Sequence, residues 1–304
     1  MASVGFPIER VAPEAEPRRS LRRPLRVRAT KHEQRDAVVL GDVRVRYVDV
    51  AATGEDGPPL VLLHGIASRL EEYEDLIDRL RARRRVVALD LPGNGYSDKP
   101  ARRYTLAFLE DAVLGLLDHL GLPYADLAGG SLGGNLALRL AHREPQRFRR
   151  LVAWGPAGVW EPMRGIDVLH AIASRLGAPF FWAAVWLQSR FWYHPRWQGR
   201  RRALAEAFAH FREVSEPSFV RMYFDLCREQ VATSLFPIAP AIAQPMRVVW
   251  GDDDHALGMG KGVKRLVSLL PNASLCVVHG ARHSLAAEVP EKLAGEVDAF
   301  LAAR

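Results

Sequence analysis

The run Gly129-Gly130-Ser131-Leu132-Gly133 is where residue types and spacing first suggest covalent chemistry. A serine hydroxyl is a weak nucleophile at neutral pH. It needs a general base beside it and hydrogen-bond donors placed for the oxyanion that forms when it attacks a carbonyl. Ala125 to Ala128 reads as a short strand, and Leu136, Ala137, Leu140 and Ala141 resume at helical spacing after the run. A serine on such a sharp strand-to-helix turn takes up a strained backbone and needs small neighbours, which the flanking glycines supply. The Leu132 N–H and the positive end of the helix dipole then face the oxyanion. Gly-x-Ser-x-Gly alone occurs by chance in glycine-rich loops, so its strand-turn-helix setting carries the weight. Candidate partners stand downstream at the ends of apolar runs. Asp252, Asp253 and Asp254 follow Met246–Gly251, and His279 and His283 follow Ser274–Val278.

The elements that must position these groups can be read from apolar periodicity. Val38 to Leu40 leads through Gly41-Asp42 into the alternating Val43, Val45, Tyr47 and Val48, which is hairpin chemistry. Pro59 to Leu63 and Arg85 to Leu89 are short continuous apolar runs, as strands buried on both faces should be. Helical spacing is predicted for Leu70–Arg81, for Thr105–Leu120 behind a capping threonine, for the stretch after Gly134 up to Glu144-Pro145, and for Pro290–Leu301. Further strands are predicted at Leu151–Trp154, Met246–Trp250 and Ser274–Val278. Repeated strand-helix alternation specifies a mostly parallel sheet flanked by helices, an α/β fold. Residues 158–234 break the rhythm with helical, aromatic and basic stretches and no strand signal. The chain therefore divides into a basic leader over 1–36, a core over 37–157 and 235–304, and a helical cap over 158–234. The cap is expected over the C-terminal ends of the strands, where open parallel sheets place ligands.

With 48% hydrophobic and 25% charged residues, the chain can bury a large core without metals or disulfides. Its formal charge is +7, and Met1 to Asp36 holds nine basic against five acidic residues. That leader lacks the aromatic interleaving of a nucleic-acid module, so no nucleic-acid partner is expected. Two distant cysteines, Cys227 and Cys276, suit a reducing compartment. The absence of a signal-peptide pattern agrees with a cytoplasmic location. No metal-ligand cluster or dinucleotide glycine motif is present, so neither metal nor cofactor is expected.

Taken in order, these motifs resemble the α/β-hydrolase superfamily, in which nucleophile, acid and histidine follow one another along the chain. Trp250-Gly251-Asp-Asp-Asp254 matches the family's Trp-Gly-x-x-Asp loop, and the resemblance assigns Asp254 as the acid. Gly280-Ala-Arg-His283 before the last helix is similar to its Gly-x-x-His, which selects His283 and leaves His279 structural. Leu63-His64-Gly65-Ile66 resembles the His-Gly-x signature, so Ile66 is the expected second oxyanion donor beside Leu132. His64 is then structural. Asp90-Leu-Pro-Gly-Asn-Gly-Tyr-Ser97 matches the Asp-x-x-Gly-x-Gly-x-Ser loop, with Gly93 and Gly95 allowing unusual backbone angles.

The resemblance implies a serine hydrolase acting on a small apolar ester through an acyl-enzyme. A carbon–carbon bond hydrolase, an acyltransferase or thioesterase, and a non-catalytic receptor on the same fold are the alternatives. The family's carbon–carbon hydrolases continue His-Gly with a Gly-Pro-Gly type loop, which Ile66-Ala-Ser-Arg-Leu70 lacks. The cap run from Pro179 to Leu187, followed by Phe191-Trp-Tyr193, has three readings: the cap's own core, an apolar acyl or aromatic pocket, or a lid that touches membrane or lipid.

Overall fold

The computed structural model describes residues 30–54, 57–255 and 259–303, so most of the expected leader lies outside the described residues. Strands β1 (Gln34–Val39) and β2 (Val43–Val50) form the hairpin, turning through Leu40 and Gly41 at φ of 54° and 88°. Pairing begins at Gln34, ahead of the expected Ala37, because the β1 backbone continues the ladder from Val39 back to Gln34 opposite Val48. The chain then runs β3 (Gly57–Leu63), α1 (Glu74–Leu80), β4 (Arg84–Leu89), α2 (Leu106–His119), β5 (Ala125–Gly130), α3 (Leu132–Arg143) and β6 (Phe148–Trp154). Four helices follow without a strand: α4 (Ile166–Leu176), α5 (Ala178–Trp192), α6 (Arg200–Val214) and α7 (Pro217–Ala232). The remainder is β7 (Met246–Gly251), α8 (Met259–Leu269), β8 (Ala273–Val278), the single turn α9 (Leu285–Glu288) and α10 (Pro290–Ala302).

The eight strands form one sheet in the order β1-β2-β4-β3-β5-β6-β7-β8. From β4 to β8 every neighbouring pair is parallel, and only the hairpin side is antiparallel. Alternation along a strand sends side chains to opposite faces, and β3 shows the result. Val61 and Leu63 join the core beneath α2 and α3, while Leu60 and Leu62 join the core beneath α1 and α10. Helix boundaries follow local chemistry. The Thr105 hydroxyl accepts the Phe108 N–H at 3.1 Å, α3 stops before Pro145, and α10 starts on Pro290.

The helix expected over Leu70–Arg81 is divided into a 3-10 turn over Leu70–Tyr73 and then α1. The Leu70 N–H is held by Asp90 at 2.8 Å, so the chain enters the helix through a tighter turn. Helices α4–α7 lie between β6 and β7 and are anchored to loops at the C-terminal edge of the sheet. The Tyr104 N–H donates to Asp225 at 3.0 Å, the Tyr96 hydroxyl to Glu213 at 3.2 Å, and the Ser284 N–H to the Trp192 carbonyl at 3.0 Å.

One buried charge stands apart from the site. Asp126 on β5 is fully buried 3.6 Å from Arg84, which lies at the same distance from Asp298. Burial raises the Asp126 carboxyl to about 6, against the pull of Arg149 and Arg84. A carboxyl raised on folding contributes its relative stability below its unfolded value and loses it as pH climbs through the folded one. Asp126→Asn removes that titration. Thermal unfolding at a series of pH values should show the variant gaining on wild type between about pH 4 and pH 7, by up to ~3 kcal/mol. The slope is the readout, since the lost Arg84 contact adds a constant offset; parallel pH responses would refute this account of Asp126.

Candidate active site

Ser131 is the single residue between β5 and α3, with φ 54° and ψ −115°. A non-glycine residue in that region carries on the order of 1–3 kcal/mol of strain and persists only where its surroundings fix it. Three hydrogen bonds do so. The Ser131 N–H donates to the Trp154 carbonyl at 3.0 Å, and the Ser131 carbonyl accepts from Asn135 and Ala157, each at 3.0 Å. The neighbours must be glycine, because a Cβ on Gly133 would lie 1.8 Å from the Leu63 carbonyl oxygen and one on Gly130 would lie 2.1 Å from the Trp154 ring nitrogen. Leu132 opens α3, so its N–H has no partner within the helix.

The loop that carries Ile66 leaves β3 directly against the serine, since a Cβ on Gly65 would sit 3.5 Å from Ser131 Cβ. His64 orients that loop. Its Nε2 accepts the Leu91 N–H at 2.9 Å, which leaves the proton on Nδ1 for the Gly65 carbonyl at 2.7 Å. Burial lowers its pKa and keeps the ring neutral. The expected structural role for His64 agrees with this geometry. Asp90 shapes the neighbouring turn by accepting from the Leu70 and Tyr96 N–H groups and from Arg46, with Gly93 and Gly95 at φ of 85° and 49°.

Strand order brings the other groups together. Asp254 follows β7, His283 follows β8, and His283 Nδ1 lies 2.8 Å from Asp254 Oδ2. Gly155 follows β6 beside the elbow, and a Cβ there would stand 3.2 Å from His283 Nδ1 and 3.4 Å from Asp254 Oδ2. The elbow, Gly155 and the Asp254–His283 pair are thus clustered at the C-terminal ends of β5 to β8. The adjacent carboxylates point elsewhere. Asp252 accepts from His279 and the Gly280 N–H, each at 2.7 Å, and Asp253 from Arg282 at 2.7 Å. His279 is 84% exposed, whereas the Asp254 side chain is 1% exposed.

Two groups near the pair, Glu72 and Glu288, were not singled out from the sequence, and Tyr193 was read only within the aromatic run. Glu72 and Tyr193 line a cavity of about 260 Å³ between the 3-10 turn, α6 and α9. The cavity wall includes Ala67 and Ala286, close in sequence to Ile66 and His283, and does not include Ser131. Glu72 is open to this cleft although protein surrounds it; burial raises its carboxyl, opposed by Ser68 and Arg69. Glu288 accepts the Arg282 N–H at 3.3 Å and is likewise raised by burial. An isolated glutamate on an exposed-looking helix gives no sequence signal of either position. The aromatic run of the insertion divides: Phe181 packs edge-on against Phe211, Phe219 and Tyr223 in its core, Tyr193 faces the cavity, and Trp186 faces outwards.

Burial alone would lower the His283 imidazolium, but the charge and hydrogen bond of Asp254, with Glu288 and Glu72 behind them, outweigh it and raise its pKa. As a candidate general base His283 must be neutral to act, so kcat/KM should fall as pH drops through a value above the ordinary histidine 6.5. Removing a carboxylate makes the imidazolium less favourable and keeps the base available at lower pH. A pH–rate series on Glu288→Gln should therefore show the acid limb displaced downwards; an unmoved or raised limb would count against this electrostatic coupling.

Comparison with known proteins bears on the family and the fold. The family described as alpha/beta hydrolase fold matches residues 58–289. The acetyltransferase component of an acetoin cleaving system from Pseudomonas putida is 31% identical over 269 residues, 82% of this chain and 64% of that protein. The chain thus spans under two thirds of that relative. A 2-hydroxymuconate semialdehyde hydrolase from Pseudomonas putida is 28% identical, over 81% of this chain and 88% of its own length. Among solved structures, the enol-lactonase from Burkholderia xenovorans LB400 superposes with a TM-score of 0.75 at 25% identity, covering 88% of this chain and all of that one (100%).

Proposed function

Because the chain belongs to the alpha/beta hydrolase family, we propose that it is a serine hydrolase that cleaves carboxylic esters, cyclic esters included, through an acyl-enzyme on Ser131. The observation that carries this reading is the buried Asp254–His283 hydrogen bond at 2.8 Å in the same cluster of strand ends as the strained serine. With Nδ1–H directed to Asp254, His283 presents the lone pair of Nε2. In the proposed reaction this nitrogen takes the Ser131 proton as Oγ attacks the ester carbonyl. Asp254 holds the tautomer and stabilises the imidazolium. The N–H groups of Ile66 and Leu132 receive the oxyanion. His283 then returns the proton to the leaving alcohol, and water, deprotonated by the same nitrogen, releases the acid and restores Ser131.

Helices α4–α7 serve in this reading as a cap. The 260 Å³ cavity is on the small side for ligand sites, which favours a compact acyl part. Its Tyr193, Trp197 and Phe211 wall suits an apolar group, and its charged lining carries both signs, Glu71 and Glu72 with Arg69 and Arg202. The free Cys227 and Cys276 support a cytoplasmic site of action. A second reading, hydrolysis of a carbon–carbon bond in a vinylogous diketone, draws support from the 2-hydroxymuconate semialdehyde hydrolase relative. The Ile66-Ala-Ser-Arg-Leu70 loop departs from that group's pattern.

A panel of esters, lactones, thioesters and vinylogous diketones separates the readings. Wild type should turn over esters or lactones, and Ser131→Ala should lower kcat by about ten-thousand-fold or more and abolish fluorophosphonate labelling. Retained hydrolysis in that variant would reject Ser131 as nucleophile, and turnover confined to diketones would reject the ester assignment.

A further inference from the structure

The helical insertion carries an uncovered apolar face. On α4, Val168, Leu169, Ile172 and Leu176 are 66, 47, 49 and 53% exposed. On α5, Phe181 and Val185 turn into the core of the insertion, while Trp186 and Leu187 turn outwards at 58 and 55%. Single exposed apolar side chains are ordinary on a protein surface. Here eight of the twelve large apolar side chains most exposed among the described residues fall between 163 and 191, which marks an interaction surface.

Charge identifies the occupant. Residues 163–192 hold three arginines, Arg164, Arg175 and Arg190, and one acidic residue, Asp167, which is paired with Arg228 at 2.6 Å. Arg175 stands three residues after Ile172, so helical spacing puts it beside the apolar stripe of α4, and Arg164 lies in the turn that leads into that helix. Arg190 lies over the Trp186 ring at 3.7 Å on α5. An apolar stripe with a tryptophan and flanking arginines is the pattern of a helix lying in a membrane interface. Among the described residues no single helix is long and apolar enough to cross a membrane. Helices α4 and α5 reach that length and apolarity only together, and they are bent by 117° at the break between them. Two copies meeting through this face would oppose arginine to arginine, which disfavours self-association.

We infer that the α4–α5 face docks on an anionic lipid bilayer. The occupant is a neighbour of the catalytic cluster, because the Trp192 carbonyl accepts the Ser284 N–H at 3.0 Å and the Arg190 carbonyl accepts from Arg282 at 2.9 Å, on either side of His283. The inference stands on this surface and does not depend on which bond is cleaved.

The full chain is tested by co-sedimentation with phosphatidylcholine vesicles, with and without about a third phosphatidylglycerol. Wild type should bind the anionic vesicles and largely ignore the neutral ones. Arg164→Ser, Arg175→Ser and Arg190→Ser together should weaken binding about a hundredfold, at roughly fivefold for each arginine near the surface. Leu169→Glu, Ile172→Glu and Leu187→Glu together should abolish binding while thermal unfolding stays that of wild type, since all three side chains are already exposed. Brominated lipids should quench wild-type fluorescence more than that of Trp186→Phe, a readout that does not require the triple variant to fold. Absence of vesicle binding overturns the proposal. So does binding undiminished in the folded glutamate variant, which would place the contact in the basic leader. A wild-type dimer that the glutamate variant dissociates, without vesicle binding, would make the face a self-association surface and equally overturn it.

Discussion

The close approach of α3 to β3 is the constraint on which the site depends. With Gly133 pressed to the Leu63 carbonyl, a distance at which no side chain fits, the chain has one residue in which to turn from β5 into α3. That residue is Ser131, and its left-handed backbone is the geometric cost of so short a turn. The same contact has a second effect. Leu63 ends β3, and the next residues are His64, Gly65 and Ile66, so the packing that strains Ser131 also brings the Ile66 loop against it. Ser131 and that loop are therefore brought together where α3 meets the end of β3.

A buried polar network extends this control outwards. Arg46 on β2 reaches both oxygens of Glu71 at 2.9 and 2.8 Å and Asp90 at 2.8 Å. Replacing buried ion pairs of this kind by apolar side chains is often neutral for stability, so the contribution argued here is positional. Asp90 holds the start of the 3-10 turn through the Leu70 N–H, and Asn94 from the same loop accepts the Ala67 N–H at 2.8 Å. Together with the two bonds of His64, these contacts orient every peptide around Ile66. The loop after β4 thus bears on the Ile66 segment through the Ala67 and Leu70 N–H groups.

What the sequence made legible was local. Period and punctuation located the strands, the Thr105 cap and the stop before Pro145, since each depends on neighbours a few residues away. The resemblance to the family's motifs, not local spacing by itself, is what set Asp254 apart from Asp252 and Asp253, and His283 from His279, through their offsets from Gly251 and Gly280. Those offsets set which side of the loop each faces. Glu72 was not legible, because its nearness to His283 depends on packing between segments distant in sequence; Glu288 follows His283 closely but no motif marks it, and Tyr193 was read only as part of the aromatic run. Asp126 was hidden for the opposite reason: inside an apolar strand, one carboxylate barely alters the pattern although its burial changes its acidity. The aromatic run of α5 was read as a single feature, yet a helix in contact on one side must divide such a run between core and surface.

That division gives α5 its place in the mechanism. Its inner face, through Phe181 and Val185, belongs to the packed core of the insertion, so the helix cannot slide without disturbing Phe211, Phe219 and Tyr223. Its last turn ends in carbonyls that accept hydrogen bonds from Arg282 and Ser284, and the following Tyr193 closes one wall of the cavity. Arg282 is in turn bound to Asp253, next to Asp254. A displacement of α5 would therefore pull on the loops of both Asp254 and His283 while altering the volume of the cavity. Helices inserted between two strands of a parallel sheet start and end above its C-terminal edge, which is where the strands also deliver their reactive side chains. The position of α5 over the histidine loop follows from that connection, and it makes access to the cleft and alignment of His283 properties of the same helix.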